Sequence, residues 1–244
     1  ANNALLHHLA GASEGVVLVS SLEHPSIRVP SRHWLGNRIR DIPAARNGRV
    51  DLDWVRDQLL HDRVGAVVVM AANNETGVLQ PTAELHELCA ARGIPLAVDA
   101  AQWIGKLPAQ SLAGVQMLTA CAHKFGGPPG VGLLKAPEPF RALLQGGPQE
   151  DGRRAGTENV PGILSLTAAL QDREKAMNPA DDPGTALLAT RQAWRDRFIA
   201  DLRHAVPGVE VIGENAPRLW NTVAALMPAP TDCRRRWVAK LDRL

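Results

Sequence analysis

The chain has 244 residues, 45% of them hydrophobic, and a formal net charge of +2 at pH 7. This length can bury a sizeable core, and the balanced charge gives no electrostatic reason to expect a nucleic-acid partner. The three cysteines lie far apart, without metal-ligand or disulfide spacing, and the longest apolar runs have the length of strands. We therefore expect a cytoplasmic protein with no metal site and no membrane partner.

Helix and strand patterns alternate through most of the chain. In chain order, the sequence predicts a helix at residues 2–9, a strand at 15–19, a helix at 51–60, a strand at 64–71 and a helix at 81–92, and then strands ending at Asp99, at 115–118 and at 131–134. This βαβ rhythm predicts an α/β fold with a mostly parallel sheet and helices on both faces.

The composition changes near Ala176 to a linker-like run rich in Asn, Asp, Pro and Gly. Beyond it the patterns predict a long helix at residues 185–204, strands near 209–212 and 222–226, and a helix from about Thr231 to the end. We therefore divide the chain into a large domain, residues 1–178, and part of a smaller α+β C-terminal domain, residues 179–244.

Two ionisable residues follow apolar predicted strands. Lys124 lies in ACAHKFGGP, between a strand and a Gly/Pro turn, where its amine is placed to act as an imine-forming nucleophile. Asp99 closes the strand in LAVDAAQ, where a carboxylate can pair with a protonated ring nitrogen. The cofactor that combines both features is pyridoxal phosphate. The alternatives are a solvated loop for Lys124 and a helix N-cap for Asp99.

Five strings carry a family resemblance: LEHPSI, NNETGVLQP, VDAAQWIGKLP, CAHKFGGPPGVGLL and GGPQEDGRRAGTENVPGI. In this order they resemble the cysteine desulfurase branch of the class V, fold type I pyridoxal phosphate enzymes, from Ala1 to about Thr167. The resemblance implies a fold type I large domain. It also implies removal of sulfur from L-cysteine to give L-alanine and an enzyme persulfide, for iron–sulfur cluster assembly or tRNA thiolation.

The resemblance assigns roles around the cofactor ring. Lys124 would hold the cofactor through an imine and move protons at the substrate α carbon. Asp99 would keep the ring nitrogen protonated, and Gln102 would bond the phenolic oxygen. Asn74 would approach the same side of the ring, and His24 would stack on its face as an acid or base.

The resemblance also implies a phosphate site and partners. His123 would donate to the phosphate, and Thr157 would reach the phosphate of a neighbouring subunit in a homodimer. Cys121 stands where the family has a serine, and a thiol is a weaker donor. Pro129 and Pro148 are further departures, in loops. A sulfur acceptor or scaffold protein would be the other partner.

Each of these residues also has a simpler interpretation. Asn74 is compatible with a plain turn residue before Gly77, and His24 with a surface residue. Gln102 is compatible with a polar residue early in a helix, and Thr157 with the N-cap of a helix that starts at Val160.

The ends of the chain lead us to expect a fragment that lacks the N-terminal segment and the loop with the catalytic cysteine. Cys89 fits a core position, and Cys233 falls too early in the chain to match that loop. We therefore expect the sulfur-accepting cysteine beyond Leu244. The alternatives are another class V enzyme, such as a selenocysteine lyase or an aminotransferase-like member, or a catalytically incompetent truncated scaffold domain.

Overall fold

The computed structural model describes residues 1–177 and 183–228, so the helix predicted from Thr231 and the residue Cys233 lie outside the described part of the chain. The described helices are α1 (Asn2–Ala12), α2 (Pro25–Leu35), α3 (Leu52–His61), α4 (Thr82–Ala90), α5 (Val160–Lys175) and α6 (Pro183–Ala205). The described strands are β1 (Val16–Ser20), β2 (Ile39–Ile42), β3 (Val64–Met70), β4 (Leu96–Asp99), β5 (Met117–Cys121), β6 (Gly132–Lys135), β7 (Glu210–Val211) and β8 (Ala225–Leu226).

The main sheet has the strand order β2-β1-β3-β4-β5-β6 within the described residues. Strands β1 to β5 are parallel, and β6 runs antiparallel to β5. Asp99 lies in register with Met70 on one side and Thr119 on the other. The carboxyl ends of the parallel strands therefore meet at one edge of the sheet, where open α/β sheets bind their ligands.

Helices cover both faces of this sheet, as the sequence predicts. On one face, α1 and α2 pack against strand residues such as Val17 and Val68. On the other face, α3, α4 and α5 pack against alternate residues such as Val67 and Val98. Because both faces are buried, the central strands are almost continuously apolar, and this is why they could be located from the sequence.

The structure differs from the sequence-based interpretation in several local details. Helix α2 and strand β2 were not predicted, because Pro25 and Pro30 interrupt the helical pattern; Pro25 occupies the first helical turn, where no amide hydrogen is needed. Strand β5 spans Met117–Cys121 rather than residues 115–118, since burial of Val115 does not by itself make a strand. The alternative interpretation of Asp99 as a helix N-cap does not apply, since turns and the isolated bridge between Ile104 and Leu107 follow it.

The segment after α6 returns to the edge of the main sheet. The amide of Leu79 donates to the carbonyl of Pro217, and the amide of Leu219 donates to the carbonyl of Gly77, both at 2.8 Å. Gly77 has φ +73°, and a Cβ there would lie 2.8 Å from the Thr222 side chain. This close approach places residues 217–222 beside the turn that contains Asn74.

Within residues 1–177 and 183–228, no helix combines the length and the apolar character that crossing a membrane requires.

Candidate active site

A cavity of about 620 Å³ opens at the carboxyl edge of the main sheet. Its volume is in the range of small-molecule sites. Residues at the ends of β3, β4 and β5, the turns that follow them, and the first turns of α1 and α2 form its wall. The lining residues are Ala1, Asn2, Asn3, His24, Ser26, Met70, Ala72, Asn74, Asp99, Ala101, Gln102, Thr119, Ala120, Cys121, His123 and Lys124.

Most of the site residues predicted from the sequence line this one cavity. They are His24, Asn74, Asp99, Gln102, Cys121, His123 and Lys124. Thr157 does not line it and is exposed in the loop before α5. Thr157 is also not the N-cap of α5, because the side chain of Asn159 accepts the hydrogen bond from the amide of Gly162.

Asp99 is a buried carboxylate held from two sides. Its Oδ1 accepts a hydrogen bond from the amide of Ala101 at 3.0 Å, and its Oδ2 accepts one from Nδ2 of Asn2 at 2.9 Å. A carboxylate has about four acceptor positions, so Asp99 can accept another donor from the cavity. It does not cap a helix, since turns and an isolated bridge follow it.

Asn2 connects Asp99 to two other elements. Its Oδ1 accepts a hydrogen bond from the Thr119 hydroxyl at 2.5 Å, and its Nδ2 also donates to Oγ of Ser26 at 2.9 Å. Nδ1 of His24 lies 2.9 Å from the same Oγ and accepts the amide of Ser26 at 3.1 Å. Sequence reasoning missed Asn2, Ser26 and Thr119, because residues so far apart in the chain give no local signal.

Lys124 lies just beyond the carboxyl end of β5. It ends the short 3₁₀ turn Ala122–Lys124, is exposed, and has no hydrogen bond or ion pair within the described residues. Buried Phe125 anchors the chain after it, and Gly126, with φ +98°, turns the backbone away. The amine is therefore unpartnered and faces the cavity that Asp99 also lines.

The two adjacent asparagines of NNETG have different structural roles. Oδ1 of Asn73 accepts hydrogen bonds from the amides of Glu75 and Thr76, so Asn73 is the residue that builds the turn. Asn74 makes no such bond and lines the cavity. The turn-residue interpretation therefore applies to Asn73.

Cys121 and His123 lie next to each other in the wall of the cavity. Sγ of Cys121 lies 3.8 Å from Nε2 of His123. Burial, and next the charge of Asp99, raise the pKa of the Cys121 thiol, while burial alone raises the pKa of Cys89 to about 12. Within the described residues neither thiol is therefore suited to act as a sulfur-accepting thiolate.

The sequence profile of the aminotransferase class-V family matches residues 1–189. The chain belongs to the aminotransferase class-V family.

Several similar proteins are named cysteine desulfurases. The chain is 40% identical over 230 residues to a cysteine desulfurase of Sinorhizobium fredii, covering 91% of this chain and 57% of that protein. It is 37% identical over 211 residues to the cysteine desulfurase NifS of Azotobacter vinelandii, covering 84% and 50%. This class-V chain therefore spans about half the length of the curated relatives it matches.

Solved structures show the same fold. A NifS-like protein from Rickettsia africae superposes with a TM-score of 0.80 at 26% identity, over 94% of this chain and 61% of that one. DndA from Streptomyces lividans superposes with a TM-score of 0.77 at 28% identity, over 90% and 63%. These likenesses confirm the predicted fold type I sheet and the resemblance to cysteine desulfurases.

A buried lysine that sequence reasoning missed lies beside the class-V cavity. Nζ of Lys106 donates to the side-chain oxygen of Gln102 and, at 3.3 Å, to its carbonyl. Burial, and next the charge of Lys124, lower the pKa of Lys106 to about 8. Its position four residues after Gln102, inside the string VDAAQWIGKLP, was the available signal.

Glu23, directly before His24, is a buried carboxyl group that was also missed. Its Oε1 accepts the amide of Met70, and its Oε2 has no hydrogen-bond partner among the described residues. Burial, and next the charge of Asp99, raise the pKa of Glu23 to about 8. The protonated, neutral form of the Glu23 side chain is therefore favoured at pH 7.

Replacing Glu23 with glutamine is expected to stabilise the chain more at alkaline than at acid pH. The folded state binds a proton that the unfolded state releases between pH 4.5 and about 8, so wild-type stability falls as the pH rises through this range. Glutamine removes this loss, which amounts to about 2–4 kcal/mol in the free energy of unfolding. Urea unfolding at about pH 5 and about pH 8.5 measures the difference.

The matched control for this prediction is Glu87→Gln, since Glu87 is exposed on α4. A stability difference between wild type and Glu23→Gln that does not change with pH would mean that Glu23 ionises normally in the folded chain.

Proposed function

We propose that the chain is the cofactor-binding part of a pyridoxal phosphate-dependent cysteine desulfurase, an enzyme that converts L-cysteine to L-alanine and passes the sulfur to one of its own cysteines. One observation carries this proposal: the strand-end amine of Lys124 and the strand-end carboxylate of Asp99 line the same cavity. The names of the relatives support the choice of L-cysteine as substrate.

The residues of the cavity fit pyridoxal phosphate. The unpartnered amine of Lys124 can condense with its aldehyde, and Asp99 has acceptor positions left for a protonated ring nitrogen. Gln102 and Asn74, which line the cavity, would approach the phenolic oxygen, and Cys121 and His123 would approach the phosphate. When bound, the cofactor withdraws electrons from the substrate α carbon and makes its proton removable.

Side chains of this protein would carry out the proton transfers and place the charges around the ring. The amine of Lys124 takes the proton from the α carbon and returns a proton to it. The charge of Asp99 holds the proton on the ring nitrogen, and neutral Glu23 adds no second charge beside it. Because Nδ1 of His24 is occupied by Ser26, its Nε2 is the nitrogen left to exchange a proton with a bound molecule.

A second copy of the chain is the partner we propose for α5. Val160, Ile163 and Leu164 are exposed on this helix at the spacing of a single face, and exposed Thr157 lies just before it. A homodimer through this face would cover the apolar side chains and bring Thr157 toward the partner's cavity. The sulfur acceptor or scaffold protein, the pathway, the cytoplasmic location and the division near residue 178 stay predictions from the sequence.

Hydrogen exchange at the α carbon tests the proposed function without requiring the sulfur-accepting cysteine. The purified chain is mixed in D₂O with pyridoxal phosphate and with L-cysteine, L-alanine or, in parallel reactions, other L-amino acids, and deuterium at the α carbon is followed by mass spectrometry. We expect exchange of both amino acids above the rate with free pyridoxal phosphate. Exchange no faster than with the free cofactor would favour a scaffold domain, and exchange confined to other amino acids would favour another class V activity.

A further inference from the structure

Lys106 is a cationic residue that is buried beside the cavity without a counter-charge in an ion pair. Its exposed fraction is 6%, and it makes no ion pair within residues 1–177 and 183–228. Lysines are seldom buried unless they are paired, since burial removes the ammonium group from water. Nζ of Lys106 instead donates to two oxygens of one neutral residue, the side-chain oxygen and the carbonyl of Gln102. The reason for burying a lysine against this residue therefore needs an explanation.

The chemistry of the two groups restricts how they can meet. An ammonium group has three donors and no acceptor, so it can bond only to the oxygen end of a side-chain amide. With that oxygen facing Lys106, the NH₂ end of the Gln102 amide must point another way, and Gln102 lines the cavity. An NH₂ group directed into the cavity would present a donor there and not an acceptor.

We propose that Lys106 is a positioning residue that turns the donor end of the Gln102 amide toward the cavity. The inference rests on the proposed function, because the acceptor that this donor serves is the phenolic oxygen of the bound cofactor. Lys106 does not line the cavity itself and acts through Gln102.

The backbone of Lys106 is held by a residue of the segment that follows α6. Nε1 of Trp220 donates to the carbonyl of Lys106 at 3.0 Å, and the guanidinium of Arg191 lies 4.4 Å from the centre of the Trp220 ring. The segment after α6 thus holds Lys106 in place, which limits the positions that its Nζ can reach. A fixed donor is what orienting a neighbouring amide requires.

The test is a double-mutant cycle with pyridoxal phosphate as the probe. The single variants Lys106→Met and Gln102→Ala and the double variant are titrated with the cofactor, and the visible band of the bound form gives the affinity. We expect Lys106→Met to weaken binding about 3–10-fold, as expected for one hydrogen bond. If Lys106 acts through Gln102, the double variant loses little more than Gln102→Ala alone.

A spectroscopic readout separates positioning from a purely structural role. The pH midpoint of the visible band is expected to rise by about half a unit or more in Lys106→Met, because the ammonium and the amide donor both favour the deprotonated form of the bound cofactor. The control Lys135→Met removes another lysine that donates to a carbonyl, that of Ala113 at 2.8 Å, outside the cavity, and should change neither quantity.

Gln102→Glu keeps an oxygen facing Lys106 but removes the donor and adds a negative charge, so it should lose at least as much affinity as we expect for Lys106→Met. This variant keeps the test decisive if Lys106→Met folds poorly. Two results would overturn this inference and leave the proposed function standing. One is a double variant whose loss of affinity equals the sum of the two single losses, and the other is a Lys106→Met variant with the affinity and the pH midpoint of wild type. Failure of the unaltered chain to bind pyridoxal phosphate would overturn the proposed function and this inference together.

Discussion

Lys124→Ala is expected to abolish covalent uptake of pyridoxal phosphate and to lower α-hydrogen exchange by about 1,000-fold or more. The exposed amine of Lys124, which has no partner in the described residues, is the nucleophile that the cavity offers, and alanine removes it. Borohydride reduction of the loaded wild type, followed by peptide mass spectrometry, should place the cofactor mass on the peptide that contains Lys124.

Lys135→Ala is the matched control, since Lys135 lies on β6 outside the cavity and should leave uptake unchanged. Trapping of the cofactor on Lys106 in place of Lys124 would contradict the assignment. So would equal visible bands in Lys124→Ala and wild type.

Asp99→Asn is expected to slow α-hydrogen exchange by about 100-fold while the chain still takes up the cofactor. An opposite charge at hydrogen-bonding distance raises the pKa of a ring nitrogen by about 1–3 units, and asparagine removes that charge. Asparagine keeps an oxygen for the amide of Ala101, so the local turn is preserved. The exchange rates of the loaded variant and of wild type at equal occupancy measure the loss.

The control for Asp99→Asn is Asp51→Asn, which replaces a capping carboxylate outside the cavity. Asp51 caps α3 through the amides of Asp53 and Trp54, and asparagine caps helices equally well. We expect wild-type exchange in this control. Rapid exchange in Asp99→Asn would show that the ring nitrogen does not depend on Asp99.

The strand framework of the site could be predicted because it depends on local patterns. Strands β3 and β4 are buried on both faces and stand out as apolar runs, so the polar residue that ends β4, Asp99, is visible in the sequence. Lys124 is visible for a related reason, since glycines follow it directly. The family strings then added Gln102, Asn74 and the phosphate residues to the prediction.

The features that could not be predicted depend on the folded chain. Asn2 meets Asp99 across 97 positions of sequence, and no local pattern announces such a contact. Burial of Lys106 and Glu23 is decided by tertiary packing, so charged residues that look solvated in the sequence become buried beside the cavity. Which asparagine of NNETG builds the turn depends on backbone geometry.

A crystal structure of the chain grown with pyridoxal phosphate is the most direct measurement of whether Lys124 and Asp99 converge on one ligand. We predict electron density that joins Nζ of Lys124 to the cofactor, with the ring nitrogen about 3 Å from the Asp99 carboxylate. Density for the cofactor elsewhere, or a ring nitrogen that faces away from Asp99, would contradict the proposed function.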